Sequence, residues 1–526
     1  MKWSLVFPAA FFLSAVAASA QLTIDLPPIE RPADVKVAAV TATVTNVTDF
    51  DQKNVSVGAT LFALPAMILA GASDDIWSCH DAGTLQSVVC TVAILRARQS
   101  VPLTLFVDQV AEGRFALTIT PPSLPGSRGV TRVMTFYRKV PVTNTKDAGE
   151  GSFRQALLDA NAVCARTVVP CGIDFRIAEP VPDRGWYTIS PATPLPLISA
   201  DLIIDGATQI ATSGDTNPDG PEIMLDGSRT QSGNGLEFVE RAVMRVHHLS
   251  IGGFRGNGIR AAIHRNGDDP VVTARIEENY IGVDPSGRNA AANGSRGVTI
   301  DGPTTYVEIA RNVISGNGRS GVFITGDYAI DVVDNRIGVD VAGNAMPNRA
   351  SGVFVGPEAS AVNILRNRIA WNGDFGVAIS RPAYDVIVRE NSMARNRISA
   401  IDVGLDGFSG YDYDDFDLHN TRIPPPRFTS ATYDAATNAT TITGTYFDAR
   451  DHWGAWEISL FSNELPEAQG DVFLGTATAK DGVFTFTASG DLRGRYITAT
   501  GHRDLILGLS GEYFFTSEFA EVIEVQ

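Results

Sequence analysis

The residues of this 526-residue chain that could carry out chemistry are an arginine and two carboxylates. Arg260, Asp301 and Asp402 lie in short apolar segments that read IRAA, VTID and IDVG. Paired carboxylates would suit a glycoside hydrolase, whereas a base beside an arginine would suit a polysaccharide lyase or an epimerase. The same residues could instead form ion pairs on a protein surface, so both interpretations remain open. The sequence contains no HExxH, GxSxG or phosphate-binding glycine motif.

Two phenylalanines are the main candidates for binding a ligand. Phe323 and Phe354 each stand between apolar neighbours, in VFI and VFV, so strand alternation points both rings away from the core. Exposed aromatic rings on neighbouring strands can stack on a sugar ring. We therefore predict a sugar-binding platform, and packing beneath a loop or a C-terminal domain is the alternative.

The segment DTNPDGPEIMLD resembles a calcium-binding loop. Oxygen-bearing residues occupy its first, third, fifth and twelfth positions, which are Asp215, Asn217, Asp219 and Asp226. However, the twelfth residue is Asp instead of Glu, Pro221 stiffens the loop, and a strand follows where a helix would be expected. A hydrogen-bonded turn is therefore the alternative to a calcium site.

A second acidic segment, GYDYDDFDLHN, follows the last apolar repeat. Its carboxylates belong to Asp412, Asp414, Asp415 and Asp417. Carboxylates this close in sequence repel one another unless water or a cation separates them. Bound calcium and a solvated loop are both interpretations of this segment, and no other cofactor is indicated.

A repeat in the middle of the chain must position these residues. Gly297, Gly352 and Gly376 each begin a segment of 24 residues. Asparagines recur at two fixed places in these segments, at Asn312, Asn367 and Asn391 and at Asn317, Asn372 and Asn396. Each segment holds three short strand-like runs, which must pair with their counterparts in the next segment. We therefore predict an all-β fold, a right-handed parallel β-helix of about nine coils, in which the turn asparagines stack.

Strand alternation sorts the side chains of the first strand of each coil. Apolar residues such as Val298 and Ile300 point inward. The outward column is then Glu237, Arg260, Thr299, Phe323, Phe354, Ala378 and Asp402, with Asp301 one step after Ile300. Arg260 and Asp301 would therefore lie on adjacent coils.

Two further domains flank the predicted β-helix. Residues 21–140 alternate apolar and polar positions in short runs, which predicts an immunoglobulin-like β-sandwich. The β-helix covers residues 141–423 and begins with a capping helix over 151–162, for which Ser152 and Gln155 form a capping box. Three prolines from Pro424 begin a C-terminal β-sandwich that covers residues 424–526.

The first 20 residues, 1–20, predict a signal peptide and therefore an exported protein. Lys2 precedes an apolar run that ends at Ala18-Ser19-Ala20, a pattern typical of a cleavage site. In an exported chain, the pairs Cys79 with Cys90 and Cys164 with Cys171 predict two local disulfides. No later run of about twenty apolar residues could span a bilayer. We expect a secreted or extracytoplasmic protein, at the cell surface or in the periplasm.

The formal net charge of −17 argues against nucleic acid as a partner. Phosphate binding requires a basic stripe, and the sequence contains no cluster of Lys or Arg. An acidic surface could reflect solubility, calcium sites or a preference for neutral over anionic glycans.

The chain resembles a group of bacterial exported proteins with right-handed parallel β-helix repeats, which share the superfold of pectate lyases. The similar segments are VTNTKDAGEGSFRQALLDAN at the entry, LPLISADLIIDGATQ and GDTNPDGPEIMLDGS in the first coils, NYIGVDPSG and NVISGNG in the repeats, and ISLFSN, FLGTATA and TSEFAEV near the end. The resemblance covers roughly residues 140–526 and implies the fold. Proteins of this superfold include polysaccharide lyases, hydrolases, epimerases and adhesins, so the resemblance does not imply one function.

These observations favour a secreted or surface protein that binds extracellular polysaccharide and could also process it. One alternative is a non-enzymatic adhesin or cell-surface structural protein, whose partner would be a cell-surface component. The other alternative is a polysaccharide lyase or glycoside hydrolase. The sequence does not decide whether the protein is an enzyme.

Overall fold

The computed structural model describes residues 22–26, 29–32, 37–62, 68–71, 76–82, 86–108, 113–120, 130–164, 170–239, 243–262, 273–302, 306–326, 329–405, 424–446, 456–506 and 512–526. The predicted signal peptide lies outside the described residues. The chain forms two compact units, one of residues 1–138 with 168–170 and one of residues 139–167 with 171–526. Among the described residues, no helix is both long enough and apolar enough to cross a membrane.

The first unit consists of two β-sheets that share one core. One sheet is antiparallel and has the order β1 (Leu22–Asp25), β3 (Val37–Asn46), β8 (Ser100–Asp108), β5 (Ile68–Gly71). The other has the order β10 (Val130–Val142), β9 (Gly113–Thr120), β4 (Gln52–Phe62), β7 (Ser87–Leu95), β6 (Ser78–Asp81), with β2 (Ile29–Pro32) parallel to β10. Alternating apolar residues such as Val40, Leu103 and Leu117 fill the space between them. The β-rich interpretation of this region is confirmed, and its immunoglobulin-like topology stays a prediction.

The first predicted disulfide joins two neighbouring strands of this unit. Cys79 and Cys90 are direct partners in the register of β6 and β7, with their Cα atoms 4.0 Å apart. Trp77 is buried in the same core and donates a hydrogen bond from Nε1 to the carbonyl oxygen of Pro102 at 2.8 Å. The bridge between Cys79 and Cys90 is therefore confirmed.

The second unit contains three parallel sheets, which we call sheets A, B and C. Sheet A contains β11 (Cys171–Phe175), β13 (Leu202–Asp205), β16 (Val243–His247), β19 (Thr273–Glu277), β22 (Tyr306–Ala310), β25 (Ile330–Val333), β28 (Ser360–Leu365) and β31 (Tyr384–Arg389). Sheet B contains β12 (Tyr187–Ile189), β14 (Ile223–Asp226), β17 (Leu249–Gly252), β20 (Tyr280–Ile281), β23 (Val313–Ile314), β26 (Arg336–Ile337), β29 (Arg368–Ala370) and β32 (Ser392–Ala394). Sheet C contains β15 (Leu236–Val239), β18 (Ile259–Ala262), β21 (Val298–Asp301), β24 (Val322–Ile324), β27 (Val353–Val355), β30 (Val377–Ile379) and β33 (Ile401–Val403). The chain visits A, B and C in turn, which makes each coil of a parallel β-helix.

The interior of this β-helix is filled by columns of branched apolar residues. Val298, Ile300, Val322 and Ile324 are fully buried, as the alternation in sequence predicts. They belong to one core that runs along all the coils. Sheet B has eight strands within the described residues, against the nine or so coils expected from segment lengths.

The predicted stacking of turn asparagines is confirmed. One ladder links Asn279, Asn312, Asn335, Asn367 and Asn391 through Nδ2 to Oδ1 hydrogen bonds of 2.9–3.1 Å. A second ladder links Asn293, Asn317, Asn348, Asn372 and Asn396 with distances of 3.0–3.1 Å. These side chains are buried, where a polar group must be hydrogen-bonded to avoid a large desolvation cost. The asparagines therefore belong to the scaffold.

The long helix α1 (Phe153–Cys164) lies near the start of the second unit. The backbone N–H of Gln155 donates to the hydroxyl of Ser152 at 3.2 Å, which is the predicted N-cap bond. The side chain of Gln155 instead donates to Asp159, so only half of the predicted capping box forms. The apolar face is buried, and the second predicted disulfide, between Cys164 and Cys171, ties the end of α1 to β11. Shorter helices cover Gly206–Gln209, Ile210–Ser213 (α2) and Gly227–Arg229.

The chain ends in two antiparallel sheets that pack together as a C-terminal sandwich. One contains β34 (Arg427–Asp434), β35 (Ala439–Thr445) and β38 (Val483–Ser489). The other contains β37 (Val472–Ala479), β36 (Trp456–Asn463), β39 (Tyr496–Ile506), β40 (Glu512–Thr516) and β41 (Ile523–Glu524). The β-helix and this sandwich belong to the same compact unit.

The C-terminal sandwich supplies hydrogen-bond acceptors to the last coil of the β-helix. The last strand of a parallel sheet would otherwise present N–H groups without partners. The bonds run from Val388 N to Thr516 Oγ1 at 3.0 Å, from Val403 N to Glu518 Oε1 at 3.0 Å and from Met393 N to the Gly470 carbonyl at 2.6 Å. Gln469 accepts from the backbone N–H of Asn396 at 3.0 Å and so extends the second asparagine ladder.

A buried histidine lies where the sandwich meets the coil. His502 is fully buried, with Nε2 at 2.9 Å from the Ser459 hydroxyl and Nδ1 at 3.2 Å from the Thr516 hydroxyl. Burial lowers the pKa of His502 well below its usual value, because a charged imidazolium would lose its hydration. His502 is therefore neutral in the folded protein near neutral pH.

We expect this histidine to make folding stability fall in mild acid. Below about pH 6.5 the unfolded chain binds a proton that the folded His502 rejects, so the stability decreases as the pH falls. His502→Gln should flatten the melting temperature between about pH 7 and pH 5 relative to the wild type. The control is His80→Gln, at an exposed position of the first unit, which should keep the wild-type slope. An unchanged slope in His502→Gln would contradict the assignment.

Candidate functional site

The outward column of sheet C has the order that the sequence predicts. Strand register pairs its members in succession, through Glu237, Arg260, Thr299, Phe323, Phe354, Ala378 and Asp402. Neighbouring strands lie about 4.8 Å apart, so these seven side chains form a line of roughly 29 Å. Parallel pairing in register keeps each of these residues next to its counterpart in the neighbouring coil.

Arg260 holds two carboxylates together at one end of this line. Its Nε lies 2.9 Å from Asp301 Oδ2, and its Nη1 lies 3.0 Å from Glu237 Oε1. The other oxygen of Glu237 accepts from Asn234 at 2.8 Å, and that of Asp301 accepts from the Thr325 hydroxyl at 3.0 Å. The side chain of Arg260 is 36% exposed, so a ligand could reach this network. The predicted juxtaposition of Arg260 and Asp301 is thus seen in the structure.

The two phenylalanines stack on each other. The ring centroids of Phe323 and Phe354 are 5.1 Å apart, and the planes differ by 9°. The guanidinium carbon of Arg296 lies 3.5 Å from the centroid of the Phe323 ring. Phe323 is therefore covered on both faces, and of the pair only Phe354 keeps a face that these two neighbours leave uncovered. The sugar platform that the sequence suggests remains a prediction, now confined to Phe354 and to the ring edges.

Three members of the outward column are buried although they point outward. Thr299 and Asp402 are 1% exposed, and Ala378 is 0% exposed. Thr299 is short and stands between the larger side chains of Arg260 and Phe323. Asp402 lies on the last strand, beside the point where Glu518 of the C-terminal sandwich binds the chain. Strand alternation therefore predicts which way these side chains point, but it does not predict whether neighbouring residues bury them.

The three predicted catalytic residues do not come together. Asp301 and Asp402 are separated by four strand steps along sheet C, which corresponds to roughly 19 Å. Paired carboxylates in glycoside hydrolases lie within about 10 Å of each other. Asp402 is therefore too distant to act with Asp301, and a catalytic role for Arg260 and Asp301 stays a prediction.

The calcium-like segment forms hydrogen-bonded turns. Asn217 is buried and donates from Nδ2 to the carbonyl oxygens of Pro221 and Pro285, each at 2.9 Å. Asp226 accepts from the backbone N–H of Ser228 at 3.0 Å and caps the short helix that follows. These bonds are what the alternative interpretation of the segment predicts.

The remaining acidic residues of that segment point to different neighbours. Asp215 lies beside Glu222, and burial and then the charge of Asp215 raise the pKa of Glu222. The backbone carbonyl of Asp219 accepts from the Tyr280 hydroxyl. Within the described residues, no three His, Cys, Asp or Glu side chains are arranged to hold a metal ion. The second acidic set, Asp412, Asp414, Asp415 and Asp417, lies outside the described residues.

One turn of the β-helix carries a charge ladder that the sequence analysis missed. The turn between sheets A and B holds His248, Glu278, Arg311, Asp334 and Arg366 on successive coils, all with left-handed backbone. Glu278 lies 3.0 Å from His248 and 2.9 Å from Arg311, and Asp334 lies 3.0 Å from Arg366. The hydrogen bonds from His248 and Arg311 lower the pKa of Glu278 to about 2. Charges therefore alternate along this turn and neutralise one another.

A cleft of about 630 Å³ lies between the last coils and the C-terminal sandwich. Trp371 is 36% exposed at its wall, with the guanidinium carbon of Arg395 at 4.9 Å from its ring centroid. Ile398 and Leu465 are exposed apolar residues in the same lining. The cleft could not be found from the sequence, because its two walls are about seventy residues apart in the chain.

The fold class of the protein follows from its parallel sheets and from a match to a family model. A family model described as a right-handed β-helix region matches residues 286–409. With the three parallel sheets described above, this match shows an all-β protein built on a right-handed parallel β-helix. No curated protein sequence matches the chain.

Three solved structures align with parts of the chain at low similarity. A type I cohesin from Pseudobacteroides cellulosolvens is 11% identical, with a TM-score of 0.19, and the match covers 24% of this chain and 98% of the cohesin. Tailspike protein 2 of an Escherichia coli O157:H7 bacteriophage is 9% identical, with a TM-score of 0.27, over 63% of this chain and 62% of the tailspike. The catalytic unit of an α-1,3-glucanase from Streptomyces thermodiastaticus is 10% identical, with a TM-score of 0.15, over 74% of this chain and 96% of the glucanase.

Proposed function

We propose that the protein binds an extended extracellular polysaccharide along the outward face of sheet C. The supporting observation is a line of hydrogen-bonding and aromatic side chains on adjacent coils: Glu237, Arg260, Asp301, Phe323 and Phe354. Carboxylates and a guanidinium can accept and donate hydrogen bonds to sugar hydroxyls, and an aromatic ring packs on the apolar side of a pyranose. A linear polymer could contact all of them, because the coils place them at steps of about 4.8 Å.

The extracellular part of this proposal rests on the cysteines and on the N-terminal sequence. The pairs Cys79 with Cys90 and Cys164 with Cys171 form disulfides, which are typical of oxidising compartments. The predicted signal peptide agrees with export. A secreted or surface protein would meet polysaccharide as a polymer outside the cell.

Binding without turnover is the form of the proposal that the geometry favours. Arg260 contacts both Glu237 and Asp301, and an ion pair with a guanidinium lowers the basicity of each carboxylate. The enzymatic alternatives are a polysaccharide lyase and a glycoside hydrolase. The non-enzymatic alternative is an adhesin or a surface spacer.

Removing Arg260 or Phe354 from the proposed binding line should weaken glycan binding. In the full-length protein, Arg260→Ala and Phe354→Ala should each reduce the affinity for the preferred glycan by about tenfold. The melting temperature should change little, because both side chains are partly exposed. Affinity electrophoresis against uronans and neutral glycans would identify the ligand, and calorimetry would give the affinities.

The matched control is Tyr384→Ala, which removes an aromatic residue that is 37% exposed on sheet A. This variant should bind like the wild type. Wild-type affinity in both sheet C variants would refute the proposed face. In the same samples, new reducing ends or unsaturated products would establish a hydrolase or a lyase, and no retention on any glycan would leave the adhesin or spacer role.

A further inference from the structure

The cleft between the last coils and the C-terminal sandwich is lined by a tryptophan on strained backbone. Trp371 has a φ of 63°, in the left-handed region that glycine favours and that large side chains rarely adopt. It stands directly before Asn372 of the second asparagine ladder, at the place where another coil has Gly316 before Asn317. Because a left-handed backbone disfavours large residues, the turn itself does not explain a tryptophan here. Strained residues of this kind are concentrated at ligand sites.

An arginine follows Trp371 at the same place on the next coil. Arg395 stands before Asn396, one residue beyond the paired strands β29 and β32, and its guanidinium carbon lies 4.9 Å from the centroid of the Trp371 ring. Arg395 is exposed and forms no ion pair with an Asp or Glu of the described ranges. A guanidinium above a ring keeps its N–H donors in its own plane, where two of them can bind one carboxylate.

The other arginine in the described lining is already paired. Arg397 Nη2 lies 2.8 Å from Asp374 Oδ1, and its Nε donates to the carbonyl oxygen of Gly373. Arg397 therefore joins two successive coils through contacts within the protein. Of these two arginines, only Arg395 has a charge that is available to an anionic ligand.

The remaining lining is largely apolar or already hydrogen-bonded. Ile398 is 50% exposed on the coil wall, and Leu465 is 44% exposed on the sandwich wall. The side chains of Gln469 and Asn396 are engaged at the end of the asparagine ladder, and Glu518 accepts a backbone hydrogen bond from the last coil. Few of these polar groups remain for the hydroxyls of a sugar, so the lining favours an apolar ring.

Charge gives a ligand one orientation in this cleft. Arg395 lies on the coil wall and Glu467 on the sandwich wall, and the described structure shows no ion pair between them. An anionic group would be attracted to Arg395 and repelled by Glu467. An apolar ring attached to that group could then contact Trp371, Ile398 and Leu465. The volume of about 630 Å³ is within the range of roughly 300–1,000 Å³ that is typical of small-molecule sites.

We propose that this cleft binds a small aromatic carboxylate, a molecule in which a flat apolar ring carries one acidic group. The ring packs on Trp371, and the carboxylate binds the guanidinium of Arg395. The described lining of the cleft contains none of the residues of the proposed binding line on sheet C. The cleft is therefore a second site, and the inference does not depend on the proposed function.

Binding of naphthalene-2-acetate, naphthalene-2-acetamide and acetate to the full-length protein would test this inference, because the three probes separate the ring from the charge. The wild type should bind the aromatic acid at least about tenfold more tightly than the amide or acetate. Arg395→Gln should bring the affinities for acid and amide within about twofold of each other. Isothermal calorimetry at neutral pH gives these affinities.

Two variants of Trp371 distinguish a binding role from a structural one. Trp371→Gly should weaken the binding of acid and amide at least about tenfold, since both lose the ring contact. Its melting temperature should stay close to that of the wild type, because glycine relieves the left-handed backbone. Trp371→Phe keeps an aromatic ring and should retain the affinity for the acid within about threefold. Loss of binding in Trp371→Phe, or unchanged binding in Trp371→Gly, would contradict the ring contact.

The matched control is Arg397→Gln, which removes the same charge two residues away in the same lining. It should keep the preference for the acid, because this guanidinium is paired with Asp374. An equal loss of preference in this control would overturn the role of Arg395. Equal wild-type binding of acid and amide, or no binding of either, would overturn the inference and leave the proposed polysaccharide binding standing. Absence of glycan binding would contradict only the proposed function.

Discussion

Replacing Asn335 with Leu should destabilise the β-helix by about 4 kcal/mol, the largest effect that we expect from any single turn substitution. The Asn335 amide donates to the Ile309 carbonyl at 2.7 Å and to Asn367 Oδ1 at 2.9 Å. Its Oδ1 accepts from the backbone and the side chain of Asn312. Leucine takes the acceptor from the buried backbone N–H of Asn312 and the side-chain donor from the Ile309 carbonyl, whereas Asn367 Oδ1 keeps the backbone N–H of residue 335 and Asn312 Nδ2 keeps the Ile276 carbonyl.

Urea denaturation of the full-length protein, followed by far-ultraviolet circular dichroism, would measure this loss. The control is Asn363→Leu on the outer face of sheet A. Asn363 is partly exposed and its amide donates to Asp331 at 2.8 Å, so its replacement should cost about 1 kcal/mol or less. If both variants unfold at the same urea concentration, the buried ladder contributes no more than a surface hydrogen bond.

Replacing Gln469 with Ala should loosen the end of the β-helix. Gln469 Oε1 accepts from the backbone N–H of Asn396 at 3.0 Å, and its Nε2 donates back to the Asn396 carbonyl at 3.1 Å. Alanine removes both bonds at a site that is 9% exposed, so the expected cost is about 2–3 kcal/mol. Hydrogen exchange of the amides in β32 and at Asn396 should accelerate, whereas exchange in the middle coils should not change.

The comparison variant is Glu467→Ala, two residues away on the same loop and partly exposed. Its exchange pattern should match the wild type. Accelerated exchange along the whole β-helix in Gln469→Ala would show that the C-terminal sandwich supports the entire fold. Unchanged exchange at Asn396 would show that Gln469 does not hold the ladder.

Much of the β-helix could be predicted from the sequence, because its repeat is local and regular. A spacing of 24 residues with two asparagines in fixed positions is compatible with stacked coils and short parallel strands. The register of sheet C, the burial of Val298 and Ile300 and the asparagine ladders all follow from that spacing. The predicted placement of Arg260 and Asp301 on adjacent coils follows from the same register.

The surroundings of the outward side chains could not be predicted, because they depend on residues from other coils and from the C-terminal sandwich. The two rings of Phe323 and Phe354 were expected to face a ligand, yet they stack on each other, with Arg296 over the first. Asp402 was expected on an open face, but it lies on the last strand and is buried. The burial of an outward side chain depends on the length of its neighbours and on the adjoining C-terminal sandwich. The alternation of residues along one strand contains neither kind of information.

The strands, turns and inward residues of each coil follow from local periodicity in the sequence, because every coil packs its apolar residues into the same kind of interior. Which outward residues meet depends on how the coils and the C-terminal sandwich stack in space. Stacking converts a separation of two dozen or more residues into a step of about 4.8 Å, and it thereby brings Glu278 within 2.9 Å of Arg311. The covered face of Phe323, the cap at Gln469 and the cleft beside Trp371 arise in the same way, from contacts between segments distant in the chain.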